Sequence, residues 1–193
     1  MTSVLLVPVK RLTLAKTRLD VPASDRYRVA RALMRNTLRT AAHAAGGTSL
    51  AVVTADEEVS AFAAGLGAGV VLDTTADLNS ALEQGLNELI AADAARSVTV
   101  LVADLALLSP ADVHWLHREA TATSQPKHVS DQAGTGTTAV VLPAGHRVPM
   151  VFGPSSAERF RSSGCLPLDG APLGLRADLD TLTDLRRLGI PAA

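Results

Sequence analysis

Four cations follow directly on the first apolar run of the chain. Val4–Val9 ("VLLVPV") gives way to Lys10 and Arg11, and Lys16 and Arg18 come within the next eight residues. Long cations in this number can build an anion site without a glycine-rich loop, because Arg offers a phosphate a bidentate fork and Lys a point charge. Neither G-x-x-x-x-G-K-[ST] nor G-x-G-x-x-G occupies this position. The other reading is a solvated loop whose cations pair with acids elsewhere.

Two stretches hold carboxylates that could meet a cation. Asp104 ends the run "VLVADLALL", where it would either face a helix dipole or hold a cation at the rim of a sheet. Asp178 and Asp180 lie two apart in "RADLDTLTDL"; in extended chain, residues at i and i+2 point the same way. Mg²⁺ takes one or two carboxylates together with phosphate oxygens. Asp180 or Thr181 could equally cap a helix starting at Leu182. Two further stretches suit an anion. "GTGT", Gly134–Thr137, combines glycines that let backbone approach a ligand with two hydroxyls, and "FGPSS", Phe152–Ser156, turns sharply enough for its amides and Ser156 to form a nest. The five histidines share no spacing logic, no Ser/His/Asp triad is readable, and Cys165 reads as a small buried residue.

Positioning these groups requires alternating strands and helices. Strands are expected at Ser3–Val9, Leu50–Val53, Val70–Leu72 and Val98–Ala103, and helices at Ala23–Ala45 (closed by Gly46-Gly47), Glu57–Ala64 and Leu78–Ala92. Ser109-Pro110 caps and starts a helix through Ala120. Short strands at Lys127–Ser130 and Thr138–Leu142, a helix near Ser156–Arg161 and a last helix at Leu182–Leu188 complete the reading. Such alternation implies a largely parallel sheet covered on both faces, with ligands beyond the carboxyl ends of its strands. Lys10, the Thr54–Asp56 turn and Asp104 then share one rim.

The bulk numbers exclude several classes. The 193 residues fit one domain, 1–193, and 47% hydrophobic with 19% charged residues suits a folded core. At 3% aromatic content there is no stacking platform for single-stranded nucleic acid. Residues 1–31 carry seven cations against two acids while the whole chain has a net charge of −1, a local anion site rather than a nucleic-acid face. No apolar stretch approaches the roughly 20 residues of a membrane span, the first residues lack the order of a signal peptide, and a single cysteine forms no internal disulfide. Cytoplasmic location is the expectation.

Taken in order, "PVKRLTLAKTRL", "VVTAD", "LNSAL" around Asn79, "VADL", "DQAGTGT", "FGPSS" and "GLRADLDTLTDL" resemble the 2-phospho-L-lactate/phosphoenolpyruvate guanylyltransferase family of deazaflavin coenzyme F(420) biosynthesis. The similarity spans essentially the whole chain. It implies a three-layer α/β/α sandwich with a mostly parallel mixed sheet, like that of nucleotide-diphospho-sugar transferases. It implies transfer of GMP from GTP to the phosphate of a three-carbon phospho-acid, phosphoenolpyruvate ahead of 2-phospho-L-lactate, with one or two Mg²⁺ ions. Lys10, Lys16 and Arg18 match the family's triphosphate-contacting loop, and with Asp104 they would be catalytic. Asp104, Asp178 and Asp180 match its metal ligands, Thr137, Gly153 and Ser156 its acceptor contacts, and Thr54, Asp56 and Asn79 its nucleoside side. A transient contact with the downstream transferase would follow, and no nucleic acid or membrane partner.

The chain departs from the family at Ala106 (usually Pro), Gln132 (Arg), Thr138 (Asn) and Phe160 (His). These departures motivate an alternative, a nucleotide-binding module of this fold whose chemistry has lapsed. A molybdopterin-type guanylyltransferase is a further alternative; Pro8 and Leu12–Leu14 stand where its glycine-rich opening loop would be.

Overall fold

The computed structural model describes residues 3–44, 48–75, 77–181 and 183–184. Most of the helix read over 182–188 and the Gly46-Gly47 stop lie outside them. Seven strands form one sheet: β1 (Ser3–Val9), β2 (Ser49–Thr54), β3 (Gly69–Leu72), β4 (Ser97–Leu101), β5 (Lys127–Ser130), β6 (Thr137–Leu142) and β7 (Leu166–Pro167). Their order is β3-β2-β1-β4-β6-β5-β7. The first four run parallel; β6 is antiparallel to both β4 and β5, and β7 is parallel to β5.

β1 is buried along its whole length because both faces are covered. Leu5, Val7 and Val9 join one core with α1 (Ala23–Ala44), α2 (Glu57–Gly65), α4 (Pro110–Ala122) and α6 (Leu173–Arg176). Val4 and Leu6 join the other with α3 (Leu78–Ala92) and α5 (Ser156–Ser162). This is the period-two alternation of a strand turned into two layers. α1 buries Ala30, Leu33, Met34, Leu38 and Ala41 at helical spacing. α4 opens on a complete capping box between Ser109 and Asp112, with Pro110 at the first position.

The chain reverses direction across the sheet at β1, stepping outward to β2 and β3 and then returning to β4 on the other side. The β1–β4 pairing stops at Leu6 while the β1–β2 pairing runs on to Val9. A crevice therefore opens between β1 and β4 at their carboxyl ends, the place where such sheets bind ligands. β4 ends at Leu101, not at Ala103 as read from sequence, which leaves Asp104 on the loop beyond it. Among the described residues no helix is long and apolar enough to cross a membrane.

His128 on β5 is fully buried and stacks on Phe160, 6.4 Å between ring centroids. Burial, opposed in part by the Cys165 backbone, lowers its pKa from the usual 6.5. Below that value the unfolded chain takes up a proton that the folded chain refuses, so stability falls as pH falls. Urea unfolding between pH 7 and pH 5 should show an imidazole-linked loss with a slope of up to about 1.4 kcal/mol per pH unit, absent in His128→Leu. An identical pH slope in the two proteins would remove this assignment.

Candidate active site

The loop after β1 is shaped by the carboxylate that caps α2. Asp56 caps that helix, its Oδ1 accepting from the Glu58 and Val59 amides at 3.0 and 3.2 Å, while its Oδ2 accepts from the Leu12 amide at 2.9 Å. Leu12 is thereby pinned in the core and the chain makes a 3₁₀ turn over Leu12–Leu14. Lys10 and Arg11 stay exposed at the mouth. Lys16 adopts a left-handed backbone, φ 56°, which a side-chain-bearing residue takes only under constraint.

The constraint is visible at the other end of its side chain. Lys16 Nζ lies 2.6 Å from Asp104 Oδ2 and 3.0 Å from Asp180 Oδ1, and the side chain is only 6% exposed. Burial alone would disfavour the ammonium, but Asp104 and Asp180 outweigh it and hold the pKa above its usual value. Arg18, 68% exposed, reaches Asp180 only at 3.8 Å.

Residues 177–180 run as extended chain against the loop after β4. The Ala106 amide donates to the Ala177 carbonyl at 3.3 Å and the Leu179 amide to the Asp104 carbonyl at 3.2 Å. Leu179 is buried with Leu19 and Leu33, so its neighbours Asp178 and Asp180 turn away from that cluster, as the spacing of two predicts. Burial first, then the negative charges of Asp104, Asp131 and Asp180, push the Asp178 pKa up to about 6. Asp104 Oδ1 is buried without a hydrogen-bond partner.

Asp104, Asp178 and Asp180 are close enough for their charges to interact, and one Asp104 oxygen lacks a partner, chemistry that a hard divalent cation would relieve. As they stand, among the described residues, no three His, Cys, Asp or Glu side chains are grouped so as to hold a metal ion. The Lys16 ammonium lies between two of the aspartates instead.

Two connected clefts open beside this group, of about 280 and 270 Å³. Both are lined by Pro8, Lys10, Leu14 and Leu78; the first continues to Asp73 and the second to Asp104 and Asp180. Of the residues expected on the nucleoside side, Thr54 is fully buried and accepts from the Asp56 amide at 3.1 Å, and Asp56 is committed to its cap. Both oxygen and nitrogen of the Asn79 amide bond the Phe152 backbone. These residues shape the rim, with their polar atoms engaged inside the fold.

The residues expected on the phospho-acid side come from two loops. Thr137 opens β6 with its hydroxyl buried and unpartnered. Gly153, at φ 119°, and Ser155, at φ 54°, make the turn that buries Ser156 at the start of α5. The Ala157 amide donates to the Thr135 carbonyl at 3.1 Å, locking this turn to the GTGT loop. Gly136 sits where any Cβ would stand 2.5 Å from Asp131 Oδ2.

Arg176 was not singled out from sequence. Its guanidinium donates to the Ser130 and Asp131 carbonyls at 3.3 and 3.2 Å, and its own carbonyl accepts from the Gln132 amide. Its position on the four-residue α6, a helix too short for periodicity to reveal, hid it. Phe160, where a histidine is usual, is wholly buried and packs edge-on to Phe152 at 5.1 Å.

Residues 3–149 match the family described as Guanylyl transferase CofC like. A phosphoenolpyruvate guanylyltransferase from Mycolicibacterium paratuberculosis is 39% identical over 202 residues, covering 98% of this chain and 89% of the relative. A solved 4-diphosphocytidyl-2C-methyl-D-erythritol synthase superposes with a TM-score of 0.65 at 13% identity, covering 97% of this chain and 96% of that one. A Mycobacterium tuberculosis protein solved with manganese superposes with a TM-score of 0.54 at 21% identity, covering 97% of each. The two structural likenesses show that the chain shares the fold of these proteins.

Removing the Lys16 ammonium leaves Asp104 and Asp180 facing each other. Lys16→Met should therefore lose about 2 kcal/mol of stability in chelator-treated buffer, a value reduced from that of a fully buried pair because the aspartates are partly exposed. Arg18→Ala should lose less than about 0.5 kcal/mol. Equal losses in chemical denaturation would contradict this ranking.

Proposed function

The chain belongs to the CofC-like guanylyl transferase family and is a nucleotidyltransferase, and we propose that it transfers GMP from GTP to the phosphate of phosphoenolpyruvate, with 2-phospho-L-lactate as the next candidate, releasing pyrophosphate. The place of this reaction would be coenzyme F(420) biosynthesis. The observation that carries the reading is the pairing of Lys16 with Asp104 and Asp180 in the crevice between β1 and β4, beside an orphaned Asp104 oxygen. The name of the 39%-identical relative supports phosphoenolpyruvate as acceptor.

In this reading an oxygen of the acceptor phosphate attacks the α-phosphorus of GTP in line. The bond to the β-phosphate oxygen breaks and the electron pair leaves on pyrophosphate. The acceptor phosphate is already anionic near neutral pH, so no general base is required and catalysis rests on positioning and charge neutralisation. Lys10, Lys16 and Arg18 neutralise the charge that accumulates on the leaving group. Thr137 presents its hydroxyl, and Gly153 and Ser156 their turn, to the phosphate and carboxylate of the acceptor. Asp104, Asp178 and Asp180 would hold one or two divalent cations, Mg²⁺ by preference, whose charge would offset that of the phosphate oxygens. The product is a mixed phosphate anhydride prone to hydrolysis, so a downstream transferase that takes it directly is the expected partner.

Pyrophosphate release from GTP and Mg²⁺, measured with phosphoenolpyruvate, 2-phospho-L-lactate and 3-phosphoglycerate in turn, tests the acceptor. Release with phosphoenolpyruvate alone is expected; release independent of any acceptor, or none with all three, overturns the reading. Asp104→Asn should lower kcat by roughly 100-fold or more. Thr137→Val should raise the acceptor KM roughly tenfold with GTP affinity unchanged.

A further inference from the structure

Residues 143–155 belong to neither helix nor strand, so their backbone groups have no ladder to satisfy them. Two side chains of α3 take that part. Asn79 Oδ1 accepts from the Phe152 amide at 2.8 Å and Asn79 Nδ2 donates to the Phe152 carbonyl at 3.1 Å. One turn further along α3, Glu83 Oε1 accepts from the Met150 amide at 2.8 Å. Spacing of four on the helix meets spacing of two on extended chain, so one helix face runs alongside the segment as a strand would. The asparagine amide carries the same donor and acceptor as a peptide group, which lets it close both bonds to one residue.

Phe152 is held from other sides as well. Arg159 Nη2 donates to the same carbonyl at 3.1 Å, and the Phe152 ring packs edge-on against buried Phe160. The next residue is Gly153, where the acceptor turn begins, and a Cβ there would stand 3.2 Å from Arg159 Nη2. The first turns of α3 also wall the nucleotide-side cleft through Leu78 and Ala81.

We propose that Asn79, with Glu83 behind it, is a positioning residue that ties the acceptor turn to the helix walling the nucleotide cleft. It sets where the acceptor phosphate lies relative to the α-phosphorus, and it does so through Phe152 without reading the nucleoside. The proposal rests on Gly153 and Ser156 being acceptor contacts.

The test separates acceptor from nucleotide. Asn79→Ala should raise the phosphoenolpyruvate KM roughly tenfold or more at saturating GTP, while equilibrium binding of GTP stays within about twofold. Glu83→Ala should shift the acceptor KM in the same direction by less, and Glu83→Gln, which keeps the accepting oxygen, should behave as the unaltered protein. A fall in GTP affinity with the acceptor KM unmoved makes Asn79 a nucleotide contact and overturns the proposal, as does no change in either. Hydrogen–deuterium exchange over residues 150–156 reads the clamp without turnover: faster exchange in Asn79→Ala supports it and unchanged exchange defeats it. If the unaltered protein releases no pyrophosphate with phosphoenolpyruvate, the acceptor assignment fails while the exchange result still decides the clamp.

Discussion

Two carboxylates far apart in sequence, Asp104 in the middle of the chain and Asp180 towards its C-terminus, repel each other at the end of a sheet unless a cation stands between them or one takes a proton. Lys16 is that cation, and much of the local structure serves to bring it there. Asp56 fixes Leu12, the 3₁₀ turn shortens the path, and the left-handed backbone at Lys16 redirects the side chain inward. A backbone of that kind costs on the order of 1–3 kcal/mol; the charge pairing at its far end offsets it.

The crevice is divided between the two halves of the sheet. The parallel half, β1 to β4, supplies the cationic loop and Asp104, while the antiparallel excursion through β5 and β6 supplies Thr137 and leads to the Gly153–Ser156 turn. Asn79 bridges the halves through Phe152, and Arg176 braces the backbone at Ser130 and Asp131 within the second half. The departures from the family fall mainly in this second half. Phe160 is absorbed into an aromatic cluster with Phe152 and His128, and the Thr138 hydroxyl is turned to the Val129 carbonyl at 3.4 Å. Phe160 is accommodated by packing and Thr138 by a hydrogen bond, Gln132 stays exposed, and Ala106 packs beside Leu179.

The elements with strong local signals were legible in the sequence. The continuous apolar run of β1, the helical spacing in α1 and the Ser109-Pro110 start of α4 are all found where read. β7, at two residues, and α6, at four, are too short to carry a period. The insertion of β6 between β4 and β5 depends on long-range pairing that local pattern does not encode. In the site, the spacing of Asp178 and Asp180 announced their common direction. The cap formed by Asp56 ahead of Glu57 and Glu58 was also there to be read. That Lys16 would span residues 88 and 164 positions away, and Asn79 one 73 away, could come only from the folded chain.

The chemistry itself is tested most directly by phosphorus NMR of the reaction of GTP with phosphoenolpyruvate and Mg²⁺. Attack on the α-phosphorus predicts free pyrophosphate together with a new pair of mutually coupled phosphorus resonances, the GMP and acceptor phosphates joined through oxygen. GDP and inorganic phosphate appearing in their place would mean cleavage at the γ-phosphorus and would contradict the account.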